Sequence, residues 1–121
     1  MVNKIEKITS VKTKKALTFW QGVNVRALTR MPVDLSSRQA AVLLHISLNH
    51  GQHSIKSLAE DLQISKPAIC RAVDALEKAK LAKRSTDRAD RRNVFIACTA
   101  KGNAYLNKFA DIIMAASKEA A

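Results

Sequence analysis

The segment from Ser54 to Lys78 constrains this chain more than any other, because it holds two short helices with almost no room between them. Ser54 is placed to cap a first helix whose apolar positions are Ile55, Leu58, Ala59 and Leu62. Gln63-Ile64 turns the chain, Ser65 caps a second helix, and Pro67 is tolerated in its first turn. Ile69, Val73 and Leu76 recur at intervals of four and three, which gives the second helix one buried face. Lys66, Ala68, Cys70 and Arg71 gather near its N-terminus, off that stripe. Two helices across so tight a turn, the second with a small and basic exposed end, have the form of a helix-turn-helix. The spacing alone fits a plain helical hairpin as well.

The stretch beyond the second helix tips the balance. After Leu81 the apolar period changes to two, predicting strands over Leu81–Ser85 and Asn93–Cys98, the second with Val94, Ile96 and Cys98 on one face. Between them Thr86-Asp87-Arg88-Ala89-Asp90-Arg91-Arg92 is too polar to bury and too basic for a neutral turn. In isolation it would read as a solvated charged loop. Directly after a helix-turn-helix it reads as a wing with Arg88, Arg91 and Arg92 at its tip, joined by Arg84 on the first strand.

The flanking segments are helical. From about Val11 to Met31, Leu17, Trp20, Leu28 and Met31 form a broad stripe with Ala16, Phe19, Val23 and Ala27 beside it, and Pro32 stops the helix. Ser36 with Gln39 makes a capping box for a nearly all-apolar helix over Ala40–Leu48, and Gly51, after His50, suits a left-handed cap. Thr99 caps a last helix over 100–118, striped by Tyr105, Phe109, Ile112, Ile113 and Ala116. Stripes this large on terminal helices call for packing on each other, on a second subunit, or both. Residues 1–10 form a basic arm. The expected architecture is mainly α with a small β-hairpin, a winged helix-turn-helix in one domain over 11–121, with the helix-turn-helix at 54–79, the wing at 81–98 and flanking helices at 11–31 and 100–118.

Charge points to the partner. The chain has 121 residues and carries 21 Lys and Arg against 10 Asp and Glu, a net charge of +11. That excess says little about fold but favours a polyanion, with an acidic membrane surface second. No run of about 18 apolar residues predicts a transmembrane helix, and the lysine-rich start lacks the apolar core of a secretory signal. Two cysteines, Cys70 and Cys98, cannot build a disulfide scaffold, and His45, His50 and His53 offer no close zinc spacing. Neither these groups nor the carboxylates suggest catalysis, and no glycine-rich phosphate loop is present. No cofactor, metal or enzymatic activity is expected, and the setting expected is reducing, cytoplasmic and nucleoid-associated.

From Leu35 to about Leu106 the chain resembles the MarR family of winged helix-turn-helix regulators. Ser57-Leu58-Ala59-Glu60-Asp61-Leu62-Gln63-Ile64-Ser65-Lys66 is similar to the family's first helix and turn, and Arg71-Ala72-Val73-Asp74-Ala75-Leu76-Glu77-Lys78 to its recognition helix. Asp87-Arg88-Ala89-Asp90-Arg91-Arg92, then Asn93 to Thr99 and Lys101-Gly102, resembles its wing and exit, the most specific of the three strings.

The resemblance implies a bacterial, DNA-binding homodimer. Leu17, Trp20, Leu28, Tyr105, Phe109, Ile112 and Ile113 would hold the subunits together, and each recognition helix would enter a major groove of double-stranded DNA. Ser54, Ser65, Lys66, Ala68, Cys70 and Arg71 would approach bases or phosphates, and Arg84, Arg88, Arg91 and Arg92 would reach the flanking minor groove or its backbone. Asp87 and Asp90 would brace the wing through ion pairs with arginines. Departures are visible as well. Lys80 stands where the family usually has Gly, Arg88 replaces a common proline, and a last helix ending at Ala121 is shorter than in many members, which form an effector pocket beside theirs. The sequence names no effector. A module that binds nucleic acid with little sequence preference is the competing reading, favoured by the high charge and the basic arm.

Overall fold

The computed structural model describes residues 6–121, so the first half of the basic arm, residues 1–5, lies outside the described residues. In chain order the elements are α1 (Val11–Arg30), α2 (Ser37–Leu48), α3 (Ile55–Leu62), α4 (Lys66–Lys78), β1 (Ala82–Thr86), β2 (Val94–Cys98) and α5 (Ala100–Ala120). The fold is mainly α with one antiparallel two-stranded hairpin, the expected class. The stretch read from sequence as one domain clusters into two compact units, Val33–Asn107, and Lys108–Ala121 with the residues up to Pro32.

In the first unit, helix starts are set by local side chains. Ser36 and Gln39 close the predicted capping box, and Ser54 makes a second one with Ser57. Ser65 accepts from the Ala68 N–H at 3.3 Å. Gln63 takes the left-handed conformation that ends α3, and the Ile64 N–H returns to the Ala59 carbonyl. Helix α4 packs against α2, α3 and β1, burying Ile69, Val73 and Leu76 completely. Each such side chain contributes about 1.5–3 kcal/mol by leaving water.

The structure corrects several expectations. Ala68 is 6% exposed and faces the core, because helices on two sides of α4 bury a second row of small residues, Ala68 and Ala72, beside the main stripe. Gly51 has φ +99° but does not cap α2, whose end is the extended Asn49. The strands begin one residue later than predicted, and Val94, paired with Thr86 at the tip end of the ladder, is exposed. Tyr105 is buried within this unit, where its hydroxyl donates to the Val33 carbonyl at 2.9 Å; burial, then the charge of Asp34, pushes the phenol up from its ordinary range.

The second unit pairs α1 with the later turns of α5. Val23, Ile112 and Ala116 form its core, with Phe19, Met31, Phe109 and Ile113 against them. The broad apolar stripe of α1 therefore splits. Val23 and Met31 turn inward, while Leu17, Trp20 and Leu28 are 50%, 55% and 72% exposed.

One corner of the first unit carries strain. Lys80, with φ 65°, ends α4 in a left-handed turn where glycine would sit without penalty. Its N–H bonds the Glu77 carbonyl at 2.9 Å, and the Leu81 N–H reaches back to Leu76 at 2.9 Å. Thr99 Oγ1 fixes the same corner by donating to the Lys80 carbonyl at 2.7 Å. The surrounding bonds impose this conformation on a residue that disfavours it by about 1 kcal/mol. Lys80→Gly should therefore stabilise the fold by up to about 1 kcal/mol, seen as a higher urea midpoint at unchanged slope. A lower midpoint would show that the lysine side chain contributes more than its backbone strain costs.

Candidate nucleic-acid interface

Burial of Ile69, Val73 and Leu76 fixes which side of α4 looks outward. At its start Lys66, Pro67 and Arg71 are exposed and Cys70 is half-buried. Arg71 makes no ion pair among the described residues, so its five N–H donors are available to an incoming acceptor. Ser54 and Ser65 stand just before α3 and α4 with their hydroxyl oxygens occupied as caps.

Charge placement at the helix starts is unusual. Among the described residues, no helix has an acidic residue in its first turn, where carboxylates offset the partial positive charge of unpaired amides. Cations stand there instead: Lys12 and Lys14 in α1, Arg38 in α2, Lys56 in α3, Lys66 in α4 and Lys101 in α5. Each positive helix end is reinforced.

The wing is a short ladder with a braced tip. Asp90 grips Arg92 with both oxygens, Oδ1 to Nε and Oδ2 to Nη2 at 3.0 Å each, and accepts the Arg92 N–H at 3.1 Å. These bonds hold the Asp90 carboxyl below the usual range and the Arg92 guanidinium above its own. Asp87 behaves otherwise than expected. It accepts the Ala89 N–H at 2.9 Å and so shapes the turn through the backbone, with no arginine ion pair among the described residues. Arg88 and Arg91, both exposed, make no ion pair among the described residues.

Arg84 was expected to face DNA, but the structure commits it elsewhere. From β1 its Nη2 lies 2.8 Å from Asp74 Oδ1, its Nη1 pairs with Glu77, and its backbone N–H donates to Glu77 Oε2 at 3.2 Å. Partial burial works against the charged guanidinium, yet bonds to Asp74 and Glu77 outweigh it and raise Arg84 above its ordinary range. Asp74 and Glu77 are the participants that sequence reasoning missed. Their signal was two carboxylates one turn apart on the outer side of α4, ahead of a strand carrying an arginine. Together they clamp the wing to α4.

His53 ties the same wing to α2. It is 7% exposed, its Nε2 bonds the Asn49 carbonyl at 2.9 Å, and its own carbonyl accepts the Ile96 N–H of β2 at 2.7 Å.

Arg84→Met should cost about 1–2 kcal/mol in denaturant unfolding, because it removes charge-assisted bonds and leaves two carboxylates adjacent. Hydrogen exchange should quicken most at the β1 and β2 amides. Exchange quickening equally across α2 and α3 would mean that Arg84 supports the whole unit and does not clamp the wing.

Comparison with known proteins places this geometry. Among solved structures, a variant of MepR from S. aureus bound to an oligodeoxyribonucleotide superimposes with TM-score 0.76 at 19% identity, over 93% of this chain and 82% of that one. MepR bound to ethidium bromide gives 0.73 at 19% identity, over 93% and 80%. RV1404 from Mycobacterium tuberculosis gives 0.70 at 24% identity, over 87% and 69%. At these identities the likeness is one of fold. No curated protein matches the chain. The family model that matches covers residues 33–93, from the lead into α2 through α3, α4 and β1 to the tip of the hairpin. By that match the chain belongs to the MarR family.

Proposed function

We propose that this protein is a dimeric, sequence-specific regulator of transcription that reads double-stranded DNA with α4 and steadies itself on the flanking minor groove with its wing. The observation that carries the reading is the pairing of two cationic projections on a family-typical frame: Lys66 and Arg71 at the open end of α4, Arg88 and Arg91 at the wing tip. A DNA-bound neighbour supports it, since the solved structure of a MepR variant of the same fold is bound to an oligodeoxyribonucleotide. Arg71 supplies specificity, because its fork can pair with guanine O6 and N7. Lys66 and the Ser54 and Ser65 caps serve phosphates, beside reinforced helix ends. Cys70 adds a small contact, while Ala68 sets the closeness of packing behind them. Asp90 holds Arg92 in one pose, and a braced guanidinium suits the concentrated negative potential of a narrow minor groove. Arg84 acts indirectly, by holding the wing at a fixed angle to α4.

Self-association uses the exposed Leu17, Trp20 and Leu28 of α1. Phe109, Ile112 and Ile113 act behind that surface by holding α5 against α1. Tyr105 belongs to the core of the DNA-binding unit.

The DNA reading is tested with a site obtained by unbiased selection of bound sequences. Arg71→Ala should weaken binding to that site by about 1–3 kcal/mol and to random DNA much less. Arg91→Ala with Arg92→Ala should weaken both and flatten the plot of log K against log salt by about one to two units. If selection enriches nothing and Arg71→Ala weakens all sequences alike, the protein is an accessory module of low specificity.

Assembly is tested separately. Light scattering at micromolar concentration should give twice the 13.3 kDa chain mass, and Leu17→Glu with Leu28→Glu should give a folded monomer. A wild-type monomer under those conditions would overturn the dimer.

A further inference from the structure

Two carboxylates stand on the outer side of α4, and the structure uses them differently. Glu77 is fully engaged: Oε1 pairs with Arg84 Nη1, Oε2 accepts the Arg84 backbone N–H at 3.2 Å, and the side chain is 34% exposed. Asp74 is half engaged. Its Oδ1 lies 2.8 Å from Arg84 Nη2, its Oδ2 accepts no hydrogen bond among the described residues, and the side chain is 65% exposed. The wing clamp therefore accounts for Glu77 and leaves one acceptor of Asp74 without a use.

Its place on the helix is specific. At about 100° per residue, Asp74 falls between Cys70 and Arg71 around the helix, about 40° from one and about 60° from the other. The buried Ile69, Val73 and Leu76 lie on the other side. At about 1.5 Å of rise per residue, Asp74 stands about 4.5 Å beyond Arg71 along the axis. That is close to the step of about 3.4 Å between successive nucleotides of one strand. A lone carboxylate there would be repelled by phosphates. Arg84 offsets its charge and holds Oδ1, so Oδ2 is presented in one orientation.

We infer that Asp74 is a base-reading residue, its Oδ2 accepting a hydrogen bond from cytosine N4 at the pair next to the guanine assigned to Arg71. The inference rests on the DNA reading given above and names the class of site it selects, one with adjacent G·C pairs. The chemistry is one-sided. An ionised carboxylate only accepts, and cytosine presents its N4 amino group as a donor in the major groove. Thymine O4 and guanine O6 and N7 are acceptors and repel it, while adenine sets its N7 acceptor beside its donor. A wrong base leaves Oδ2 desolvated without a partner, and discrimination arises from that cost.

Unbiased selection of bound sequences is run in parallel on the wild type, Asp74→Asn and Glu77→Gln. Titrations at fixed salt then compare the enriched site with the same site carrying T·A in place of the assigned C·G. The wild type should enrich C·G beside the pair whose preference Arg71→Ala removes, and should bind the T·A version about tenfold or more weakly. Asp74→Asn should lose most of that ratio at this pair alone, because an amide both donates and accepts. Glu77→Gln loosens the same clamp, seen as faster exchange of the β1 amides, and should keep the ratio. A wild-type site with no preference at that pair overturns the inference whether or not the variants fold, and so does a ratio unchanged in Asp74→Asn. An equal loss in Glu77→Gln also overturns it, since Asp74 would then act only through the wing. If selection enriches nothing, the DNA reading fails first and this inference falls with it.

Discussion

Close packing of one face of α4 is the constraint from which the DNA-binding unit is built. Ile69, Val73 and Leu76 are sealed off, and Ala68 and Ala72 beside them are nearly so. Alanines in that second row let neighbouring backbones approach without forcing α4 to roll. A rolled helix would carry Arg71 away from where it now stands. Core and surface are thus set by one helical phase, and the surface chemistry of Lys66 and Arg71 has no independent means of orientation.

The wing depends on the same helix by a different kind of bond. A two-stranded hairpin is marginal alone, and this one is attached on both sides. Arg84 reaches Asp74 and Glu77 of α4, and the Ile96 amide reaches the carbonyl of His53. The two attachments differ physically. One is charged and partly exposed, so salt screens it; the other is a backbone hydrogen bond beside a buried imidazole, which salt barely touches. Cations at the tip are consequently carried on an arm whose root is held firmly on one strand and more softly on the other.

Much of this was legible in the sequence, and what was not has a common cause. The caps at Ser36, Ser54, Ser65 and Thr99, the turn at Gln63 and the buried trio of α4 all follow from side chains within one or two helical turns of each other. The family was legible for a related reason, since its wing string is compact. The misses all required a neighbour distant in sequence. Arg84 looks like one more wing cation until α4 supplies Asp74 and Glu77. Ala68 looks like a surface residue until two helices close on α4. The α1 stripe looks continuous until α5 takes Val23 and Met31 and leaves Leu17, Trp20 and Leu28 outside. Lys80 shows the converse. Its side chain disfavours a left-handed corner, but Thr99 and the carbonyls of α4 impose one.

The cations at every helix start have a consequence for how the protein lives with its own charge. Placed against the positive ends of helices, they make the free fold self-repelling, and dissolved ions relieve that repulsion. The same ions compete with a polyanion for the protein. Ionic strength therefore pulls in opposite directions on two properties of one molecule: concentrated salt firms up the unbound chain and loosens its hold on phosphate, while dilute salt does the reverse. On the proposed reading, nucleic acid would supply the missing half of the chain's charge balance, and the protein would be electrostatically complete only when bound.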